Sequence, residues 1–273
     1  MGKKMSFTRK IRAMVTSPYR LFQAICFWMG FSVLLVGILG GIYFSSVYLS
    51  LPHLSSKSFD QLKNIASEQT EKKRDSKRKL HWIGIDAISR DFLYAIVMSE
   101  DVSFFSHGGV NYEAIAYSLA ENIKRKKYAF GGSTISQQVV KNLFLSSRKT
   151  IDRKFREIWL TFRLEDQFSK NEILEIYFNV AELGPDIYGV REAAQHYFKK
   201  HPSEINAAEG AFIGLMLPSP RRFHYSVFEN ENLTKTKLKK IKRVLRDMLH
   251  HEYISLEQYR EYLYYDFYYA KNF

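Results

Sequence analysis

The stretch GGSTISQQVVKN, Gly131 to Asn142, opens on two glycines and carries no charge before Lys141, in a chain otherwise crowded with charge. The glycines permit a tight turn, and Thr134 followed three residues later by Gln137 predicts a capping box that starts a helix. Ile135, Val139 and Leu143 then fall on one helical face, while Thr134, Gln137 or Gln138, and Lys141 fall on another. The same period recurs on both sides, at Leu93, Ile96 and Val97, at Ile115, Leu119 and Ile123, and at Leu238, Ile241, Val244, Leu245 and Met248. No sustained strand alternation competes with it, and there is no internal repeat. The region after about Trp82 therefore reads as one mainly α domain.

The 273 residues are 46% hydrophobic and 15% aromatic, enough for one substantial core and unlike a disordered chain. Forty-one Lys and Arg against 28 Asp and Glu leave a net charge of +13, which calls for an anionic partner: nucleic acid, acidic lipid or a phosphorylated substrate. Cys26 is the single cysteine, so no intramolecular disulfide forms and the fold rests on packing.

Between Leu21 and Ser56 there is no Asp, Glu, Lys or Arg, and Ile25 to Tyr48 is long enough to cross about 30 Å of hydrocarbon as a helix. Lys3, Lys4, Arg9, Lys10, Arg12 and Arg20 precede it with no acid among them, which predicts a cytoplasmic N-terminus and an outward-facing remainder. A cleaved signal peptide has a shorter apolar run, so a retained anchor is expected. The polar stretch that follows reads as a juxtamembrane linker or weak helix. The aromatic tail QYREYLYYDFYYAKNF is open between a packed terminal helix and an interfacial anchor.

Three segments carry candidate chemistry. Free amides at the start of the GGSTISQQVVKN helix, with the Ser133 and Thr134 hydroxyls, would form an anion site; an ordinary capped amphipathic helix is the plain alternative. In SEDVSFFSHGG, a continuing helix would place Glu100, Phe104 and His107 on one face, with a carboxylate against an aromatic wall that raises its pKa, as suits a general base. In SSRKTIDRKFREIWLTFRLE, Arg148, Lys149, Arg153 and Lys154 precede Glu157, at i+4 from Arg153 and i+3 from Lys154. Four cations following an anion-binding loop suit a pyrophosphate. Glu175 reads as structural.

In this order EDVSFFSHGG, GGSTISQQVVKN, RKFRE, KNEILEIYFN and LMLPSP resemble the five motifs of the family 51 peptidoglycan glycosyltransferases, over about Trp82 to Met248. The wording NVAELGPDIYGVREAAQHYF is most similar to the monofunctional biosynthetic peptidoglycan transglycosylases of Gram-negative bacteria. The resemblance implies a lysozyme-like, two-lobed, mainly α domain that polymerises lipid II into β-1,4 glycan strands with release of undecaprenyl pyrophosphate. It implies Glu100 as the base for the acceptor 4-hydroxyl and Glu157 as the second carboxylate, near the donor pyrophosphate. Substrate would be held by Asp101, Phe104, His107, Ser133, Thr134, Gln137, Gln138, Lys141, Asn142, Arg148, Lys149, Arg153 and Lys154. A divalent cation, Mg or Mn, at the pyrophosphate is left open. The departures are Asn111 where the family usually has Asp, Lys149 where an arginine is common, and HYFKK without the usual glycine after Phe198.

The organisation expected is a cytoplasmic basic tail over 1–20, a transmembrane anchor over 21–50, a linker over 51–80, a glycosyltransferase domain over 81–250 and an aromatic tail over 251–273. The domain would lie in the periplasm, held in the inner membrane. Its partners would be lipid II, the growing glycan strand, membrane lipids and cell-wall synthesis or division proteins, with no nucleic acid. A lysozyme-like glycan-cleaving enzyme and a non-catalytic membrane-anchored scaffold are the alternatives; neither needs a pyrophosphate cradle.

Overall fold

The computed structural model describes residues 18–76, 78–127, 131–146, 148, 150–268 and 271. The chain divides into two units, Met1–Leu51 and Pro52–Phe273. In the first, α1 (Pro18–Ser50) is a 33-residue helix whose most apolar stretch has a mean hydropathy of 2.2. At 1.5 Å per residue it is about 50 Å long, more than the roughly 30 Å of a bilayer core. Of the basic residues expected to set its orientation, Arg20 alone is described; Lys3, Lys4, Arg9, Lys10 and Arg12 lie outside the described residues.

Among the described residues, the regular structure of the second unit is helical apart from one short hairpin. Its helices are α2 (Phe59–Lys73), α3 (Arg90–Glu100), α4 (Tyr112–Arg125), α5 (Ile135–Phe144), α6 (Ile151–Gln167), α7 (Lys170–Val180), α8 (Val190–Phe198), α9 (Ala207–Met216), α10 (Pro220–Phe223), α11 (Lys235–His250) and α12 (Leu256–Tyr262). A π-helical turn, His224–Glu229, follows α10. Capping boxes start α2, α5, α7, α9 and α12, where Ser58, Thr134, Ser169, Asn206 and Ser255 each meet a Gln or Glu three residues on. The stretch read as a linker or weak helix thus forms α2, which buries Leu62, Ala66 and Thr70 and packs on α5 and α7. Its C-cap Arg74 is buried against Glu192 at 2.6 Å.

At the centre lies α9, AAEGAFIGLM, with all ten residues buried. A helix apolar all round belongs in the interior. Its one acid, Glu209, is fully buried and takes Lys200 Nζ at 2.9 Å and the Tyr265 hydroxyl at 2.6 Å. Two glycines one turn apart let α3 approach: a Cβ on Gly210 would lie 2.8 Å from Ala95 Cβ, and one on Gly214 would lie 2.6 Å from Ser99 Oγ. These contacts fix the end of α3, where Glu100 stands.

The sequence suggests a break at Gly184-Pro185, but α7 already ends at Val180. There the chain enters an antiparallel hairpin, β1 (Glu182–Gly184) and β2 (Ile187–Tyr188). Asn179 pins the segment before α3, accepting from Ile83 N at 2.9 Å and donating to Ile83 O at 2.8 Å. Glu175 accepts from Trp82 Nε1 at 2.8 Å and Ile85 N at 3.0 Å, the structural place expected of it. The described part of the aromatic tail packs on the core. Phe267 stacks on Phe212 with ring centroids 5.4 Å apart, and the Tyr268 hydroxyl donates to Val227 O at 2.8 Å.

Candidate active site

Glu100 is the last residue of α3 and belongs to the walls of two adjoining cavities, of about 390 and 530 Å³. Ser99, Gly131, Ser133 and Arg243 are also shared between them. Burial raises the Glu100 pKa to about 7, against a hydrogen bond from Gln138 and the charge of Lys141, which favour the carboxylate. Gln138 Nε2 donates to Glu100 Oε2 at 2.8 Å, and the Tyr177 hydroxyl lies 3.5 Å from Gln138 Oε1. Burial, reinforced by the charges of Glu100 and Asp101, keeps that phenol well above its usual pKa. It therefore stays a donor, and its position sets which way round the amide lies.

The helical reading of Glu100 to His107 does not hold. Asp101 leaves the helix with φ −158°, and a 3-10 turn over Phe104–Ser106 follows. His107 thus meets Asp101, with Nε2 3.0 Å from both carboxylate oxygens, while its Nδ1 accepts from Gly109 N at 3.1 Å. That acceptance puts the ring proton on Nε2, which donates to Asp101. Phe104 is fully buried, so the wall expected beside Glu100 is core, with Lys170 Nζ 4.5 Å above its ring.

The anion site expected at the start of α5 is also corrected. Asp101 Oδ2 accepts the first-turn amide of Ile135 at 3.0 Å, so that end of the helix already faces a carboxylate of its own chain. Thr134 donates its hydroxyl to Gly109 O at 2.6 Å and its amide to Gln137 Oε1 at 3.0 Å. Gln137 is buried, and its Nε2 has no hydrogen-bond partner among the described residues. Gly109, at φ +89°, permits this junction; a Cβ there would lie 2.7 Å from Thr161 Cγ2. Asp101 and Thr134 still contribute to the smaller cavity's wall, whereas Phe104, His107 and Gln137 line neither cavity. Asn142 accepts at its carbonyl from Lys73 Nζ at 2.7 Å.

The cations gather as their spacing predicts. Glu157, 3% exposed, accepts from Arg153 Nη1 at 2.8 Å and from Lys154 Nζ at 2.5 Å, and Lys154 also reaches Ser133 Oγ at 3.3 Å. Arg153 Nε is buried without a partner among the described residues. Lys141 lines the larger cavity. Desolvation there lowers its pKa, against the attraction of Glu157, with Arg153 lowering it further. Arg148 is exposed on the loop before α6, and Lys149 lies outside the described residues. Sequence reasoning missed Lys240 and Arg243 of α11, which line the larger cavity together with Lys141 and Gln138. Their i, i+3 spacing beside the apolar stripe of that helix was the available signal.

Mg or Mn at a pyrophosphate draws most of its oxygens from phosphate and water, with one or two carboxylates from the protein. Asp101 and Glu157 are taken by donors of their own chain, and no three His, Cys, Asp or Glu ligand atoms converge there among the described residues. Lys141, Arg153 and Lys154 are the cations gathered around Glu157.

Beside the groove, α4 exposes Tyr112, Ile115, Leu119 and Ile123, and α6 exposes Ile151, Phe155 and Trp159 at four-residue spacing. Each is an apolar stripe along a helix.

A family model described as Transglycosylase matches residues 66–249. Three similar proteins bear the name biosynthetic peptidoglycan transglycosylase. The one from Nitrosomonas eutropha is 42% identical over 146 residues, 54% of this chain and 60% of its own. Those from Laribacter hongkongensis and Janthinobacterium sp. (strain Marseille) are 39% and 37% identical, over 64% and 74% of this chain and 74% and 87% of their own.

Proposed function

The chain belongs to the transglycosylase family and is a peptidoglycan glycosyltransferase of cell-wall synthesis, and we propose that Glu100 is the base of its glycosyl transfer. In that step the 4-oxygen of the acceptor sugar in lipid II forms a bond to the anomeric carbon of the donor. The bond from that carbon to the undecaprenyl pyrophosphate breaks, and the hydroxyl proton passes to Glu100. The observation that carries this reading is the place of Glu100 in the shared wall of two cavities, with a pKa of about 7. A hydroxyl presented from one side and an anomeric carbon from the other meet at such a group, and a base titrating near working pH transfers protons efficiently.

The leaving pyrophosphate would lie against Lys141, Arg153 and Lys154, with Ser133 and Glu157 holding Lys154 in place. Charge that develops on the leaving group is stabilised best by donors fixed beforehand, and the ion pairs on Glu157 fix two of them. Asp101, Thr134, Gln137, His107 and Phe104 would shape this pocket from behind. Gln138 would orient the base, and Lys240 and Arg243 would add charge on the opposite wall.

The transfer domain, expected over 81–250, would extend forward to include α2, which packs on α5 and α7 and lies partly within the family match from residue 66. It would stand in the periplasm, tethered by α1 to the inner membrane with the N-terminus in the cytoplasm. The apolar stripes of α4 and α6 support this placement, because a substrate carrying a long polyprenyl chain is met at a lipid surface. Cell-wall synthesis or division proteins would be its partners.

Incubation of the purified full chain with lipid II, followed by product separation, tests the reading. Glycan strands that a muramidase digests are expected. Failure to lengthen lipid II, or cleavage of preformed glycan instead, overturns it.

A further inference from the structure

Away from the groove, α8 and the π-helical turn bring His196, His224 and Glu229 together, with one ligand atom from each within 4.8 Å of the other two. The hydrogen bonds around His224 determine what it offers there. The Tyr197 hydroxyl gives its proton to Leu183 O at 2.7 Å, so toward His224 Nδ1, 3.3 Å away, its oxygen can only accept. Nδ1 therefore carries the imidazole hydrogen, and Nε2 presents a lone pair. In the neutral ring that lone pair faces Glu229 Oε1, 3.4 Å away, acceptor against acceptor. The third group repeats the pattern: His196 Nε2 is buried and has no hydrogen-bond partner among the described residues.

Three acceptors that converge in this way suit a single cation. A proton on His224 would serve the contact to Glu229 but leaves His196 Nε2 without a partner among the described residues, whereas one metal ion serves all three. We propose that His196 Nε2, His224 Nε2 and a Glu229 carboxylate oxygen bind a divalent transition-metal ion of the zinc class, with water as fourth ligand. Two neutral imidazoles and a carboxylate are a donor set that suits zinc. Bonds of about 2.0–2.1 Å in tetrahedral geometry place ligand atoms about 3.3–3.4 Å apart. The His224 to Glu229 separation of 3.4 Å already meets this. The remaining closure falls on His196 and on Glu229, whose side chain is 46% exposed and free to turn. The Tyr197 contact to Nδ1 is the outer hydrogen bond that fixes the orientation of a ligating imidazole.

The ion would join α8 to the only π-helical turn among the described residues, in a unit whose sequence has no cysteine to form a disulfide. That turn lies in the connection leading to α11, which carries Lys240 and Arg243 to the groove. The metal is thus a brace for one wall of the groove and takes no part in glycosyl transfer.

Full-length protein in detergent, stripped with a chelator, is titrated with ZnCl2 by calorimetry and followed by thermal unfolding. About one equivalent is expected to bind, and the unfolding midpoint should rise by several degrees once zinc is about a hundredfold above Kd. His224 is buried and its replacement risks the fold, so the test uses His196→Gln and Glu229→Gln. Each is expected to weaken zinc binding at least about tenfold while the metal-free midpoint stays near that of the parent. His250→Ala with His251→Ala removes an exposed surface pair and should change nothing. Absence of zinc uptake at about 100 μM overturns the proposal. So does uptake that survives both site variants or disappears with the surface pair.

Discussion

Gln138 Nε2 lies 2.8 Å from Glu100 Oε2, so the proposed base at the end of α3 is held by a side chain of α5. The bond favours the charged carboxylate and opposes the burial that raises its pKa. Replacing Gln138 by Leu should therefore move the acid limb of the pH–rate profile upward by about one unit, the equivalent of one hydrogen bond to a charged group. The profile of kcat/KM with lipid II reads this directly. An unmoved limb with a lower plateau would mean that Gln138 acts only on substrate.

Glu100→Gln should reduce polymerisation by about 10²–10⁴, because it keeps the shape and deletes the proton acceptor. Retention of more than about a tenth of the rate would place the base elsewhere.

The same substitution has a second consequence, for stability. The folded pKa of about 7 lies above the ordinary 4.5, so folding favours the protonated carboxyl. That contribution is complete below about pH 4.5 and is lost as pH rises through about 7. Unfolding curves of Glu100→Gln and parent should run together near pH 4 and separate near pH 8, the variant being more stable by up to about 3 kcal/mol. Coincident curves at both pH values would contradict the assigned shift.

Lys141→Met keeps the aliphatic stem and removes the charge. KM for lipid II, and the concentration of undecaprenyl pyrophosphate needed to inhibit, should rise by about 10–150-fold. Thermal stability should hold or improve, since desolvation already disfavours this ammonium. Unchanged inhibition would remove Lys141 from the proposed pyrophosphate site.

Gly210→Ala should cost about 1–3 kcal/mol and lower activity as well, because the new methyl meets Ala95 Cβ at 2.8 Å and pushes on the helix that carries Glu100. Ala95→Gly in the same chain should restore part of both. A stability loss with full activity would show that α3 yields without moving its end.

Local features of the fold were legible because their causes are local. Thr134 and Gln137 form the expected capping box, and Glu157 meets Arg153 and Lys154 at the spacing of a helix turn. The misreadings come from contacts that spacing does not encode. Nothing near Asp101 in sequence says that it reaches the amide of Ile135, and with that amide taken the anion site at the start of α5 is lost. The shared face of Glu100, Phe104 and His107 assumes a helix that continues to His107, whereas α3 ends at Glu100. Lys240 and Arg243 lie on a helix whose apolar stripe is its plainest signal, and only the tertiary fold brings them into one cavity wall with Gln138.

The glycine notch between α9 and α3 also bears on how such an enzyme accumulates change. Glu100 ends a helix seated on the most buried helix of the domain, with Gly210 and Gly214 as the seat. A substitution that swells or loosens that seat lowers folded abundance and displaces the carboxylate together. In a mutational library, soluble yield and turnover should fall together for positions along this seam and vary independently for the cations of α6. The pattern of covariance would separate the inherited scaffold from the adjustable chemistry without any structure of a complex.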